Sequence, residues 1–216
     1  MGGTPTKAAA IEAVSFPGVT VHLHMNQATS PTGGTVGTVI DHVGFTVQDL
    51  QEATARWKAA GVPVLPGMNG RTDQAFVETP DELRIEILED PTQKAPIQHH
   101  HVHFFVPQSA IPDIQAWYAK VFGAAPGVRA QYQVADLPGV NLSFSPSQTP
   151  TVHTKGRVLD HIGFSVTNLE AFIRKLEAAG IQLDRPYAKN AQTRTARAYL
   201  FDPWGTYIEL LERTGS

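Results

Sequence analysis

Residues 41–50 read DHVGFTVQDL, and residues 160–169 read DHIGFSVTNL. Further along the chain, residues 84–89 (RIEILE) match residues 207–212 (YIELLE) in the same order. The two copies of the first stretch begin 119 residues apart. A match that returns in the same order over this length indicates an internal repeat, in which each copy is one supersecondary unit that packs against its neighbours.

The repeated unit begins with a strand and a helix. Residues 41–47 and 160–166 alternate apolar and polar side chains, which is typical of a half-buried strand. Asp49 and Asn168 then occupy N-cap positions, and each predicted helix ends at a glycine. Three strand-like runs follow each helix, so the unit is predicted to be β-α-β-β-β.

A third copy and part of a fourth extend the pattern. Residues 98–144 hold a more diverged copy, and residues 1–23 align without gaps with residues 122–144, the final part of a unit. We expect an α+β fold of tandem βαβββ modules that form incomplete barrels, with the first module truncated at its N-terminal side. Either the start methionine is misassigned or the opening strand and helix are missing. A sheet edge left open in this way favours pairing with another chain.

The modules are predicted to pair in the order in which they occur. A proline-rich linker at residues 91–97 (PTQKAPI) has the composition of a surface connection. We expect residues 1–92 to form one half, made of the partial first module and the second module. Residues 98–214 are expected to form a complete domain from the third and fourth modules.

Composition narrows the class of partner. The 216 residues carry a net charge of −3 without a basic cluster, which gives no electrostatic footprint for nucleic acid. No apolar run is long enough to span a membrane. The chain has no cysteine, so disulfides and thiolate ligands are excluded. We expect a small-molecule partner, no nucleic acid or membrane, and a cytoplasmic location unless a signal peptide precedes the start.

Three polar residues stand at matching positions of the predicted strands. His161 and Glu209 alternate with apolar neighbours, so both face away from the layer that the helix covers. Aligning HVHFFV with HIGFSV places His101 at the position of His161. Two histidines and one carboxylate with open positions form the facial triad used for iron(II) and related divalent ions. We therefore predict a metal site made of His101, His161 and Glu209.

The first half keeps part of the same set. His42 matches His161, and Glu86 matches Glu209. His22 completes a second candidate metal site with His42 and Glu86. For any single strand histidine, a hydrogen-bonded structural role is the alternative.

Other polar residues are expected around the predicted site. His103 is expected in the wall of the pocket or behind the ligands. Tyr207 shares a strand face with Glu209 and is a candidate donor to the pocket, with Tyr199 and Arg197 as weaker candidates. No residue is assigned as a general base.

The modules, with the motifs DHVGFTVQDL, DHIGFSVTNL and FDPWGTYIEL, resemble the vicinal oxygen chelate superfamily of glyoxalases, bleomycin-resistance proteins and extradiol dioxygenases. The resemblance covers essentially the whole chain. It implies that two modules close an incomplete barrel around a divalent ion, here Fe²⁺, Mn²⁺, Zn²⁺ or Ni²⁺, with ligands on the first and last strands. Ser143 stands where the resemblance implies a fourth ligand of glyoxalase I, so it argues against that activity.

Two functional interpretations follow from the resemblance. The favoured one is a metal-dependent enzyme, of the lyase, isomerase or dioxygenase type, that chelates two neighbouring substrate oxygens on the ion. The alternative is a metal-free protein that sequesters a ligand, as in bleomycin resistance. The resemblance also implies a homodimer or another homo-oligomer.

Overall fold

The computed structural model describes residues 1–8, 11–24 and 33–213. These residues contain three α-helices, α1 (Leu50–Ala59), α2 (Ile111–Phe122) and α3 (Leu169–Ala178). They also contain fifteen strands, which are β1 (Thr4–Ala8), β2 (Ile11–Phe16), β3 (Val19–Leu23), β4 (Ile40–Val47), β5 (Val64–Pro66), β6 (Gln74–Glu78), β7 (Arg84–Glu89), β8 (Ile97–Val106), β9 (Ala125–Arg129), β10 (Tyr132–Leu137), β11 (Val140–Pro146), β12 (Ile162–Ser165), β13 (Leu183–Asn190), β14 (Thr195–Phe201) and β15 (Tyr207–Arg213).

The order β-α-β-β-β occurs three times in the described residues, as the sequence predicts. We call these units module 2 (residues 40–89), module 3 (97–146) and module 4 (162–213). In each, the first strand lies parallel to the last, with β4 beside β7, β8 beside β11 and β12 beside β15. Module 1 (residues 4–23) is a three-stranded antiparallel unit that matches the last three strands of a module. The predicted truncation of module 1 stays a prediction.

The strands form three open sheets. Module 1 forms the sheet β1-β2-β3, and module 4 forms the sheet β12-β15-β14-β13. Modules 2 and 3 together form an eight-stranded sheet in the order β5-β6-β7-β4-β8-β11-β10-β9. The molecule is mostly β with few helices and its sheets are not closed, which confirms the predicted fold class of incomplete barrels.

The eight-stranded sheet crosses the predicted domain boundary. β4 pairs antiparallel with β8, and His42 lies opposite His103. Module 3 therefore shares its sheet with module 2 and not with module 4, so the division into residues 1–92 and 98–214 does not separate the sheets. Only residues 90–96 connect β7 to β8, and this short connection keeps β8 beside the sheet of module 2.

The hydrophobic cores match the predicted division into halves more closely than the sheets match it. α2 and α3 share one core, in which the rings of Phe122 and Phe164 lie 4.9 Å apart. α1 covers module 2 in a second core, and Phe16 of module 1 packs against Phe45 at 5.0 Å. Because alternate strand residues face opposite sides of a sheet, the strand positions between these core residues point away from the helices.

Both predicted helix starts are confirmed. The side chains of Asp49 and Asn168 accept hydrogen bonds from the backbone N–H three residues further on, at 2.7 and 3.2 Å. Glu89 and Glu212, at the ends of the last strands, accept further hydrogen bonds from the N-terminal turns of α1 and α3. These contacts fix each helix against the last strand of its own module. None of the described helices is long and apolar enough to cross a membrane.

Candidate metal centre

The strand registers align the polar faces of modules 2 and 4. In module 2, Gly44 of the first strand lies opposite Glu86 of the last strand. In module 4, Gly163 lies opposite Glu209 in the same way. A histidine precedes each glycine by two residues and therefore points to the same face. Since β4 pairs with β8, the polar faces of modules 2 and 3 meet at one place.

Four buried side chains meet where β4 pairs with β8. We call them the central cluster, and one donor atom of each lies within 4.8 Å of the others: His42, Glu86, His101 and His103. Each residue is only 3 to 6% exposed. The Nε2 atoms of His42 and His101 lie 3.6 and 3.1 Å from Glu86 Oε2. His103 Nδ1 lies 3.1 Å from His42 Nε2, so the four donors converge.

Neighbouring side chains orient two of these donors. His42 Nδ1–H donates to Asp41 Oδ1 at 2.8 Å, so Nε2 faces the cluster. Gln74 Nε2 donates to Glu86 Oε1, so Oε2 remains directed at the histidines. Burial would raise the pKa of Glu86, but the hydrogen bonds from His101 and His42 outweigh burial and hold that pKa well below its usual range. The carboxylate is therefore ionised within the cluster.

Gly44 makes room for the ring of His101. A Cβ atom at Gly44 would lie 2.1 Å from His101 Cε1. His100 Nδ1 lies 2.8 Å from His101 Nδ1, which leaves His101 Nε2 directed at Glu86. Burial lowers the pKa of His101, so the ring is neutral at neutral pH. A neutral imidazole is the form that binds metal ions.

His103 lies on the side of the cluster nearest to Tyr132 and Phe105. Its Nε2 atom lies 2.8 Å from Ser145 Oγ, so Nδ1 faces His42. The rings of Tyr132 and Phe105, both half-buried, each lie 5.1 Å from the ring of His103. Burial, with the charges of the neighbouring histidines, lowers the pKa of His103 to about 2. This ring is also neutral.

A second group of polar residues, which we call the module 4 cluster, consists of His161, Arg197, Tyr199 and Glu209. Arg197 Nε lies 3.2 Å from Glu209 Oε1, an ion pair whose N–H does not point along a hydrogen bond, and Tyr199 donates to the same oxygen at 2.7 Å. His161 Nε2 lies 3.7 Å from Glu209 Oε2. Burial would lower the pKa of His161, but hydrogen bonds to Asp160 and Glu209 raise it to about 9. Two protein cations therefore face this carboxylate.

The predicted triad of His101, His161 and Glu209 is divided between the two clusters. His101 lies with Glu86, whereas His161 lies with Glu209. The reason is strand pairing, because the strand that carries His101 is β8, and β8 pairs with β4 and not with β12. Metal binding by these residues stays a prediction.

The second predicted set divides in the same way. His42 and Glu86 both belong to the central cluster. His22 instead lies near the module 4 cluster, whose charges act on its ring, and burial lowers its pKa. The ring of His24 lies 6.0 Å from that of His161. The end of β3 therefore faces module 4.

Of the candidate donors named from the sequence, the weaker candidates Tyr199 and Arg197 contact Glu209, whereas Tyr207 binds elsewhere. Tyr207 donates to Asp184 at 2.8 Å, and it is Tyr199 that donates to Glu209. Gln74, which binds the other carboxylate, is the residue that sequence reasoning missed. The signal that could have found Gln74 was its position in the strand. Alternation along β6 places Gln74 on the same face as Glu86 of the neighbouring strand β7.

The central cluster has the chemistry and the spacing of a divalent metal site. A six-coordinate ion with ligands at about 2.1 Å places neighbouring donors about 3 Å apart, and a tetrahedral ion at about 2.0 Å places them about 3.3 Å apart. The distances of 3.1 and 3.6 Å between Glu86 Oε2 and two imidazoles match this spacing. The module 4 cluster fits less well, because Arg197 already pairs with its carboxylate.

Open sheets of βαβββ modules around a buried group of histidines and a glutamate define the vicinal oxygen chelate class of fold. The chain belongs to the Glyoxalase/Bleomycin resistance protein/Dioxygenase superfamily, whose sequence profile matches residues 100–210. No curated protein matches the chain.

Solved structures share this fold over almost the whole chain. A mutant of glyoxalase I from Zea mays matches with a TM-score of 0.72 and 18% identity, over 94% of this chain and 78% of that one. Glyoxalase I from Zea mays without a stated mutation matches with a TM-score of 0.68, 16% identity and the same coverage. A protein from Bacillus subtilis, provisionally named a dioxygenase, matches with a TM-score of 0.64 and 14% identity, over 95% and 73%. At these identities the likeness shows the fold alone.

Proposed function

We propose that this protein is a metal-dependent enzyme acting on a small molecule, with a divalent ion held by His42, Glu86 and His101. The observation that carries the proposal is the environment of Glu86. Its Oε2 atom faces two imidazole nitrogens at 3.1 and 3.6 Å, while Oε1 accepts from the neutral amide of Gln74. A buried carboxylate needs a compensating cation, and a divalent ion between these donors supplies it.

The surrounding residues would keep the donors in place. A carboxylate that accepts from the second nitrogen of a metal-binding histidine fixes the tautomer and the orientation of the ring. Asp41 has this relation to His42, and Gln74 holds the carboxylate of Glu86. A divalent ion at this place would polarise two neighbouring oxygens of a substrate and stabilise negative charge that develops on them.

The substrate class follows from the donors and from the side chains beside them. An ion with open positions favours a molecule with two adjacent oxygens, such as a hydroxyketone, a hydroxy acid or a catechol. The half-buried rings of Phe105 and Tyr132 lie next to His103 and supply an aromatic wall. We therefore expect a substrate that has an apolar part beside its two oxygens.

The metal content of protein purified without chelators tests the proposal. We expect one divalent ion per chain in the parent and its loss in His101→Ala, because a ligand is removed. The matched control is His161→Ala, which removes the equivalent histidine of module 4 and is expected to keep the ion. Elemental analysis of the three proteins gives the stoichiometries directly.

Two results would count against this function. If the folded parent binds no Mn²⁺, Fe²⁺, Ni²⁺ or Zn²⁺ even when each is added in excess, the metal site is wrong and metal-free sequestration of a ligand becomes the better interpretation. If His161→Ala loses the ion and His101→Ala keeps it, the ion is bound by module 4 and not by the central cluster.

A further inference from the structure

We propose that His103 is a fourth protein donor to the ion, so that three imidazoles and one carboxylate hold it. This inference rests on the function proposed above. It specifies how many coordination positions of the ion remain for substrate, and therefore which type of reaction the ion would support. It starts from a difference between the modules in two side chains at equivalent strand positions.

Module 3 replaces the glycine and glutamate pair of the other modules. Gly44 lies opposite Glu86 in module 2, and module 4 repeats this pair at the same register. At that register, module 3 has His103 on the first strand and Ser143 on the last strand. In module 3 the large polar side chain is therefore on the first strand and the small residue is on the last strand, which is the reverse of modules 2 and 4.

Ser143 leaves the space that a glutamate would fill. Its Oγ donates to Asn141 Oδ1 at 2.7 Å, and Asn141 in turn donates to Asp136 at 2.7 Å. The hydroxyl is thus engaged within its own strand pair. Module 3 therefore supplies no carboxylate from its last strand, and His103 is the residue opposite that position with a nitrogen donor.

The nitrogen that faces the cluster is available for coordination. In the tautomer in which Nε2 donates to Ser145 Oγ, 2.8 Å away, the lone pair of His103 is on Nδ1. Nδ1 lies 3.1 Å from His42 Nε2, close to the distance of about 3 Å between neighbouring ligands of a six-coordinate ion. Opposite ligands of such an ion lie about 4.2 Å apart, and all four donor atoms fall within 4.8 Å of one another.

Four protein donors change what the ion can do. A six-coordinate ion then keeps two positions, which is enough for two substrate oxygens but leaves no third position for dioxygen. The inference therefore favours proton transfer, isomerisation or lyase chemistry over oxygenation. A set of three imidazoles also favours Zn²⁺, Ni²⁺ or Co²⁺ over Mn²⁺ and Mg²⁺.

Proton NMR of the full chain loaded with Co²⁺ counts the histidine ligands. Each coordinated imidazole that keeps an N–H gives one exchangeable signal shifted far outside the usual range by the paramagnetic ion. We expect three such signals in the parent and two in His103→Ala. We also expect Zn²⁺ affinity, measured by competition with a chelating dye, to fall about 100-fold in His103→Ala.

A second variant covers the case in which His103→Ala does not fold. The double substitution His103→Gly with Ser143→Glu gives module 3 the pair found in modules 2 and 4. It is expected to bind one ion with two imidazole signals and to shift the preference towards Mn²⁺, because a carboxylate replaces an imidazole.

The outcomes separate this inference from the function on which it rests. A parent with two shifted signals, or a folded His103→Ala with unchanged Zn²⁺ affinity, overturns the role of His103 and leaves the three-residue site intact. A parent that binds no Co²⁺ or Zn²⁺ overturns both.

Discussion

The glutamates of the central cluster and of the module 4 cluster lie at the same place in two copies of one module, yet they have different partners. Glu86 accepts from a neutral amide, whereas Glu209 accepts from a phenol and pairs with a guanidinium. The residue opposite the glutamate is Phe76 in module 2 and Tyr199 in module 4. The residue two positions earlier on the same strand is Gln74 in module 2 and Arg197 in module 4. On this strand, Arg197 thus supplies a fixed positive charge beside Glu209, whereas Gln74 supplies none beside Glu86.

Strand pairing adds a second difference between the clusters. β4 lies between β7 and β8, whereas β12 is the edge strand of its sheet. The side chain of His42 is accordingly 5% exposed and that of His161 is 18% exposed. Since a buried charge is costly without a partner, the site with less water has the stronger need for a bound cation.

The largest expected difference concerns the two glutamates. Glu86→Gln keeps the shape of the side chain but removes the charge that faces the imidazoles, and we expect divalent metal affinity to fall by more than about 100-fold. Glu209→Gln is expected to change it by less than about 2-fold, because Arg197 and His161 already face that carboxylate as cations. Isothermal titration of both variants with Zn²⁺ measures this difference. Equal losses in the two variants would break the comparison between the clusters.

A smaller effect is expected from the carboxylates that orient the histidines. Asp41 accepts from His42 and Asp160 accepts from His161, at 2.8 and 2.7 Å. Asp41→Asn is expected to lower metal affinity by about 10- to 100-fold, because the tautomer and orientation of the ligand are no longer fixed. Asp160→Asn serves as the matched control and should leave the affinity unchanged. A larger loss in the control would assign the ion to module 4.

The two glycines test how closely each cluster is packed. In Gly44→Ala the new methyl group would lie 2.1 Å from the ring of His101, whereas at Gly163 the nearest atom is Glu209 Oε2 at 3.5 Å. We expect Gly44→Ala to lower the free energy of unfolding by about 2 to 3 kcal/mol. Gly163→Ala is expected to stay within about 0.5 kcal/mol of the parent. Urea denaturation checks both values, and equal stabilities would show that His101 moves away without cost.

Local structure was predictable from this sequence because its signals are local. Alternation gave the first strands, and the side chains of Asp49 and Asn168 cap the two helices at the predicted positions. The sheet that modules 2 and 3 share was not predicted, since the first strands of modules 2 and 4 share the pattern DHxGF and either is a suitable neighbour for β8. Connection length was the available signal, with residues 90–96 before β8 and the longer stretch of residues 147–161 before β12.

The candidate site was predictable by residue type but not by grouping. His42, Glu86 and His101 were each named, because a charged or imidazole side chain on an alternating strand is conspicuous. Their assembly depends on the partner of β8, which is a long-range contact. The partners of the two carboxylates, Gln74 and Arg197, depend on register between strands, which alternation alone does not fix.

The smallest expected effect is the pH dependence of the ion pairs around His161. Hydrogen bonds to Asp160 and Glu209 raise the pKa of His161 from its usual 6.5 to about 9. A histidine whose pKa is raised by folding stabilises the folded state fully below pH 6.5, and this contribution is lost as pH rises through about 9. Because the side chain is partly exposed, we expect this contribution to the free energy of unfolding to be roughly 1 to 2 kcal/mol. A full conversion of the pKa shift at about 1.36 kcal/mol per pKa unit would give a larger value.

Comparing the parent with His161→Gln isolates this contribution, because the titration of the central cluster is common to both proteins. The difference in unfolding free energy, measured in urea, is expected to be largest near about pH 6 and to shrink towards zero near about pH 10. A difference that stays constant over this range would mean that folding does not shift the pKa of His161, so that the ring is mostly neutral above about pH 7. In that case Arg197 alone balances the charge of Glu209, and the contrast with Glu86, which has no such arginine partner in its own cluster, becomes sharper.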